Sequence, residues 1–146
     1  MRYAVVVLAL VACRTHDEAP ASKRAPAPLV HATQADLAHD LEIADRQGSW
    51  AEVRQRWQGQ QLRWTVTRYK SLCGGSDSCY VAAFPIERPA KHGWMPKLEL
   101  SAAEMAKLDA KCASAMCEFT FEGTLSELTA SAEEPTSLRF SNVRIL

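Results

Sequence analysis

From residue 33 onward the apolar positions of this chain follow two different periods. Leu37, Leu41 and Ala44 recur at helical spacing behind Thr33, a residue type that suits an N-cap. They predict a helix over residues 34–46 that stops at Gly48. Ser49 with Glu52 three residues later has the form of a capping box, and Val53 and Trp57 lie four apart, so a short second helix is expected before Gly59. The period then changes to two. Leu62, Trp64 and Val66 alternate with Arg63, Thr65 and Thr67, the pattern of a half-buried strand. After the turn-rich residues 74–78, residues 79–86 predict a second strand, and residues 94–100 a third, interrupted by Pro96. Ser101 and Glu104 repeat the capping-box pattern, and Met105, Leu108 and Cys112 give the helix behind them an inward stripe. From Cys117 the alternation returns, with Phe119, Phe121, Gly123 and Leu125 on one face and Glu118, Thr120, Glu122 and Thr124 on the other. A polar loop over 129–136 leads to a last strand carrying Leu138, Phe140, Val143 and Ile145. The change of phase at Ser141–Asn142 predicts a bulge.

One or two helices followed by β-β-β-α-β-β is the order of a mainly β domain, a five-stranded OB-like Greek-key barrel. Gly123 suits a sharp bend in a barrel strand. The rival is another small α+β domain with a five-stranded antiparallel sheet. The stretches WQGQQLRWTVTRY, FTFEGTLSEL and LRFSNVRIL, within residues 57–146, resemble the bacterial OB-fold lipoproteins related to the tRNA-anticodon-binding-like family. The resemblance implies ligand contacts on the face of the second and third strands and on the loops joining strands 1–2 and 4–5. Tyr80, Ala82, Phe84, Trp94 and Lys97 then stand near a possible binding face, although alternation alone leaves their direction open and core packing competes for the aromatic residues. The same competition applies to Trp50, Trp57 and Trp64, which read as packing residues.

The first residues, MRYAVVVLALVAC, divide the chain. Arg2 supplies a positive start, and Ala4 to Ala12 form an apolar run, too short for a spanning helix of about 20 residues. Leu10-Val11-Ala12-Cys13 resembles the bacterial lipobox, which implies cleavage before Cys13 and a lipid on its thiol. The competing reading is a cytosolic chain whose first segment is a buried strand. Arg14 to Pro28, RTHDEAPASKRAPAP, reads as a flexible tether. The expected organisation is a signal peptide over 1–12, a lipidated cysteine and tether over 13–32, and a domain over 33–146. The expected location is the cell envelope, anchored to a membrane through the lipid. With Arg14 where an Asp would favour retention at the inner membrane, the resemblance implies the periplasmic side of the outer membrane in a Gram-negative source.

With Cys13 lipidated, four cysteines remain, Cys73, Cys79, Cys112 and Cys117, and an even count in an exported domain favours disulfides. Local pairing, Cys73–Cys79 and Cys112–Cys117, is preferred, and crossed pairing stays open. The spacings fit neither the tight knuckles of most zinc modules nor a Cys-x-x-Cys redox centre. The chain carries 17 basic and 17 acidic residues, and residues 33–146 carry 13 and 15, a net charge of −2. That balance lacks the cationic surplus that phosphate binding needs, which disfavours nucleic acid as a partner unless a local patch forms. Asp36, His39 and Asp40 share the first helix but read as a solvated face. His92 has no nucleophile near it in sequence, and Gly74–Gly75 lacks the lysine and helix entry of a phosphate loop. No catalytic residue, metal ligand or cofactor motif emerges. The reading is a non-enzymatic module that binds another envelope protein or a surface ligand. The alternatives are an oligosaccharide or single-strand nucleic-acid binder and, more remotely, a hydrolase with an unrecognised site.

The anchor is directly testable. Metabolic labelling with a clickable fatty acid is expected to mark the wild-type chain, and Cys13→Ala is expected to lose both the label and cleavage before residue 13. Unchanged labelling of the variant would overturn the assignment.

Overall fold

Thr33 opens the first helix with a reciprocal cap: its hydroxyl accepts from Asp36 N at 3.1 Å, and the Asp36 carboxylate accepts from Thr33 N at 2.7 Å. The bond from Thr33 N, and then one from the Thr33 hydroxyl at 2.8 Å, hold the Asp36 carboxyl below its ordinary pKa. The structure, a computed structural model, describes residues 29–73, 78–86, 93–114 and 116–146. Helix α1 (Gln34–Gln47) ends where Gly48 takes a left-handed φ of 72°, and α2 (Trp50–Trp57) follows at once. The capping box expected at Ser49 does not form. Its side chain makes no capping bond, and its carbonyl accepts from Glu52 N at 3.2 Å instead. Asp40 joins the two helices, accepting from Trp57 Nε1 at 2.6 Å and from Arg56 Nη1 at 3.2 Å. Leu37, Leu41 and Ala44 are fully buried against the sheet, so the helical stripe is a packing stripe.

The strands are β1 (Leu29–Val30), β2 (Gln61–Cys73), β3 (Ser78–Pro85), β4 (Met95–Ser101), β5 (Glu118–Thr129) and β6 (Ser137–Ile145), with helix α3 (Ala102–Lys111) between β4 and β5. Their order is β1-β2-β3-β4-β6-β5, and an additional pairing of β2 with β5 closes the last five into a barrel. All the barrel pairings are antiparallel except β4 with β6, which run parallel. This is the OB-like Greek-key barrel that the element order predicts. Strand β1 is a difference. Its two residues pair in parallel with Gln61 and Leu62, so the ordered pairing begins inside the segment read as tether.

Strand β2 also exceeds expectation. Its first half pairs with β5 over Gln61–Thr67 and its second half with β3 over Val66–Cys73, with a register shift between Arg68 and Lys70. The shift makes Tyr69 the extra residue of a bulge, which breaks the parity that marks a strand in sequence. Pro96 does not interrupt β4. It sits second in the strand, one residue beyond the last position paired with β3, where a missing N–H removes no rung on that side.

Inside the barrel, Leu62, Val66, Val81, Leu98, Phe121, Leu125, Leu138 and Phe140 are fully buried. Phe121 and Phe140 meet edge to face, with ring centroids 5.1 Å apart. The bulge expected in β6 is present. Between Glu122 and Thr124 of β5 the partner moves from Arg144 to Ser141, and Asn142 takes a φ of 52°. Gly123 lies opposite this bulge, where an added Cβ would come within 3.1 Å of Val143 Cγ2 and 3.4 Å of the Ser141 carbonyl. Cys73 and Cys79 face each other across the β2–β3 hairpin, Cα–Cα 4.2 Å, and Cys112 reaches Cys117 after α3, Cα–Cα 5.7 Å, both joined as disulfides. Short loops of this kind each restrict the unfolded chain enough to contribute about 2 kcal/mol.

Half of the predicted capping box on α3 forms: Ser101 Oγ accepts from Glu104 N at 3.3 Å. The Glu104 carboxylate turns elsewhere, accepting from Lys107 Nζ at 2.6 Å and from the backbone N of Ile145 at 2.7 Å, and so ties α3 to the end of β6. The Lys107 ammonium and then the Ile145 N–H hold its carboxyl below the ordinary glutamate range. A depressed folded pKa means stability that is fully present above the unfolded value and lost as pH falls through the folded value. Glu104→Ala is expected to cost about 2 kcal/mol and Glu104→Gln, which keeps an acceptor for Ile145, about 1 kcal/mol. Chemical denaturation across pH checks this: the gap between wild type and Glu104→Gln should hold above about pH 5 and narrow below about pH 4. A gap independent of pH would show that the charge of Glu104 does not brace β6.

Candidate functional site

The barrel interior is filled by side chains, so chemistry has to be sought on its outer surface and at its ends. On α1, Asp36 belongs to the helix cap and Asp40 to the Trp57–Arg56 junction, which leaves the Asp36–His39–Asp40 group a structural explanation. His92 and Gly74–Gly75 lie outside the described residues, as does Cys13. Among the described residues, no group of three or more His, Cys, Asp or Glu is placed to hold a metal ion.

The outer face of β2, β3 and β4 is different. Tyr80 is 41 % exposed and stands across from Leu72, 59 % exposed, at the disulfide-joined end of the hairpin. Two and four residues further along β3, Ala82 and Phe84 continue the same face, and the Phe84 ring packs on that of Tyr69 with centroids 4.8 Å apart. The bulge at Tyr69 aims this ring outward, where it is 49 % exposed. Met95 and Lys97, both exposed, extend the face onto β4. The registers then line up a row of cations across the sheet: Lys70 opposes Ala82, Ala82 opposes Lys97, and Lys97 opposes Arg139 of β6. Apolar and aromatic side chains flank the row on both sides. Two acids temper it, Glu99 across from Tyr80 and Glu127, whose carboxylate lies 3.7 Å from Arg139.

Of the five residues proposed from sequence for this face, the structure brings Tyr80, Ala82, Phe84 and Lys97 together on it. Trp94 departs from that placement. It precedes β4 and is only 4 % exposed, because its ring serves the core. Glu122, on the strand face opposite Phe119 and Phe121, is not an open acid. It is 9 % exposed and paired with Arg63, whose Nε donates to it at 2.8 Å. Sequence reasoning missed Tyr69, Leu72 and Arg139. Arg139 was readable, since Leu138 and Phe140 inside the barrel put it outside; the bulge hid the other two.

A pocket of about 460 Å³ lies at the end of this face, where β3 finishes and β4 begins. Phe84, Pro85, Trp94, Met95, Pro135 and Thr136 line it, the last two from the loop between β5 and β6.

No family profile matches the chain, and no curated protein matches it. Among solved structures it is similar to a crystal structure from Klebsiella pneumoniae described as a "putative nucleic acid-binding lipoprotein", with a TM-score of 0.52 and 12 % identity. The match covers 81 % of this chain and 92 % of that one. The two share a fold. At this identity the likeness extends to the barrel and its helices and not to individual site residues.

The division between face and core predicts opposite responses to substitution. Leu72→Ser and Tyr80→Ser are expected to stay within about 0.5 kcal/mol of wild type, while Trp94→Ala should cost about 3–5 kcal/mol through the cavity it leaves. Thermal denaturation of the three variants checks this, and a large loss at Tyr80 would show that its ring belongs to the fold.

Proposed function

We propose that this chain is a non-enzymatic binding module, held at the cell envelope by a lipid on Cys13, that engages a partner protein through the outer face of β2, β3 and β4. The observation that carries the reading is the group of apolar and aromatic side chains on that face, Leu72 and Tyr80 on one side of the cation row and Tyr69, Phe84 and Met95 on the other. A soluble barrel gains nothing from holding such side chains in water, and clusters of this kind mark contact surfaces. Aromatic residues and Met with a few cations are also the composition of protein interfaces. The Leu-Val-Ala-Cys sequence supports the tether, and the fold neighbour's description as a lipoprotein agrees with it. Arg14 after the lipidated cysteine favours the outer membrane in a Gram-negative source. A photo-crosslinking residue at position 80, in intact envelopes, is expected to give a discrete product that Leu72→Ser diminishes, while the same residue at Glu118 gives none. Equal products from both positions would sink the assignment of the face.

A second reading is a single-stranded nucleic acid on the same face. It is favoured by the row of Lys70, Lys97 and Arg139 between stackable rings and by the description of the fold neighbour. Three cations are few, Glu127 already attends one of them, and the domain is net negative. Releasing counterions from three phosphates of a single strand gives a salt slope of only about −2. Fluorescence anisotropy with a labelled single-stranded oligonucleotide is therefore expected to show binding weaker than about 1 µM near physiological salt, with a slope no steeper than that. Submicromolar binding with a steeper slope would put this reading first.

A further inference from the structure

Ala82 stands at the centre of the face formed by β2, β3 and β4. Along β3 it lies between the outward Tyr80 and Phe84, with Val81 and Ala83 fully buried beneath the sheet. Across the sheet it lies between Lys70 of β2 and Lys97 of β4, its partners in the two registers. Four long side chains thus surround one methyl group. Both lysines are exposed, and among the described residues no carboxylate pairs with either, whereas Arg139 at the end of the row has Glu127 beside it at 3.7 Å. Neighbouring strands run about 4.8 Å apart, so the two lysine Cα atoms stand about 10 Å apart across β3. Their four-carbon stems let both ammonium groups reach the space above the methyl from opposite sides. There they repel each other unless an anion stands between them.

We propose that the space above Ala82 takes one carboxylate side chain from an extended segment of the partner protein, with apolar residues two positions before and after the acid. The inference rests on the protein-binding reading above and names the partner's chemistry. The charge of the site follows from Lys70 and Lys97, and its spacing follows from β3. Residues two apart on a strand lie about 6.6 Å from each other on one face. Tyr80, Ala82 and Phe84 have this spacing, and so do alternate side chains of an extended segment laid along β3. An acid over Ala82 then puts one apolar neighbour against Leu72 and Tyr80 and the other against Phe84, Tyr69 and Met95. Strand β3 is paired on both sides, so the segment lies on the sheet without joining the ladder. A single carboxylate suits this site better than a phosphodiester chain. Such a chain carries a charge at every nucleotide, and Glu99 and Glu127 oppose the charges that follow the first. Leu72 and Met95 also offer no ring on which a base could stack.

The test titrates the full chain, in non-ionic detergent micelles at low salt, into the fluorescent, end-blocked peptide Ser-Leu-Ser-Glu-Ser-Leu-Ser and follows anisotropy. One control replaces the Glu by Gln. The other, Ser-Ser-Leu-Glu-Leu-Ser-Ser, keeps the composition but turns the leucines away from the acid. The first peptide is expected to bind about tenfold more tightly than the Gln control and at least about threefold more tightly than the rearranged one. Lys70→Met and Lys97→Met should each weaken binding about threefold, and the corresponding Arg variants should restore it. Ala82→Met fills the space and removes no charge, so a loss of about tenfold there, at unchanged Tm, separates a fitted site from diffuse attraction. Should Ala82→Met fail to fold, the two lysine variants decide. Equal affinity for the Glu and Gln peptides would overturn the proposal, as would wild-type affinity in a folded Ala82→Met or in both lysine variants. A single-stranded oligonucleotide that binds more tightly than the peptide and is lost in Ala82→Met would overturn it in favour of phosphate. Crosslinking at position 80 that persists undiminished in Lys70→Met/Lys97→Met would sink the carboxylate site and leave the face standing. Peptide binding as expected, with no crosslinked product in envelopes, would leave the carboxylate site standing and sink the envelope partner.

Discussion

The seam between β2 and β5 is the constraint on which the rest of this structure depends. A five-stranded open sheet would leave two rows of unpaired backbone groups, whereas closure joins them. To serve as the closing strand, β2 runs through thirteen residues and changes neighbours along its length, from β5 at Gln61–Thr67 to β3 at Val66–Cys73. Closure also sets how tightly the strands curl. Gly123 is where β5 comes nearest to the bulge of β6, and the space left there accommodates hydrogen but not a methyl group without displacing Val143. The bulge and the glycine are thus two parts of one bend. Asn142 tolerates the left-handed backbone that the bend requires.

The hairpin follows from the same geometry. Once β2 passes Arg68, its described pairings are with β3, so the hairpin extends past the β5 seam and one of its faces is not covered by the barrel. A two-stranded ribbon in water is marginal by itself. The Cys73–Cys79 link across its end and the bulge at Tyr69 give it a fixed shape, and Arg68 anchors its base by donating to Asp109 of α3 at 2.8 Å and to Ser71 at 3.0 Å. What the hairpin then presents to solvent is Leu72, Tyr80 and the Tyr69–Phe84 pair. Rigid presentation lowers the entropy that a contact surface loses on binding.

These relations explain which parts were legible in the sequence. Wherever side chains alternate without interruption, as at Leu62–Trp64–Val66 or Phe119–Phe121, one face is core and the pattern states it directly. The order of elements then leads to the barrel, since few topologies accept a helix between the third and fourth long strands. Bulges are legible only when apolar residues continue on both sides. The one at Ser141–Asn142 shows because Phe140 and Val143 bracket it, while the one at Tyr69 is hidden because the residues beyond it are exposed on either parity. Capping patterns mislead for a related reason. Glu104 has the sequence position of a capping-box partner, but Ile145 offers a backbone N–H from 41 residues away, and nothing local announces that competitor. The row of Lys70, Lys97 and Arg139 is assembled by strand register alone. A composition with equal numbers of acids and bases therefore conceals a local arrangement of charge.

The same geometry gives the displaced carboxyls a structural task. Among the described residues the carboxyls that are clearly displaced, Asp36 and Glu104, are both displaced downward by donors that hold them in place. One closes a helix start and the other braces the last strand, so each is more firmly a carboxylate than it would be in water and less able to accept a proton at neutral pH. Thr33 and Lys107 act from within a turn of their partners, while the Ile145 N–H reaches Glu104 from the last strand. Meanwhile the exposed aromatic rings on the hairpin, costly to a barrel standing alone, are a feature that contact with another surface would relieve.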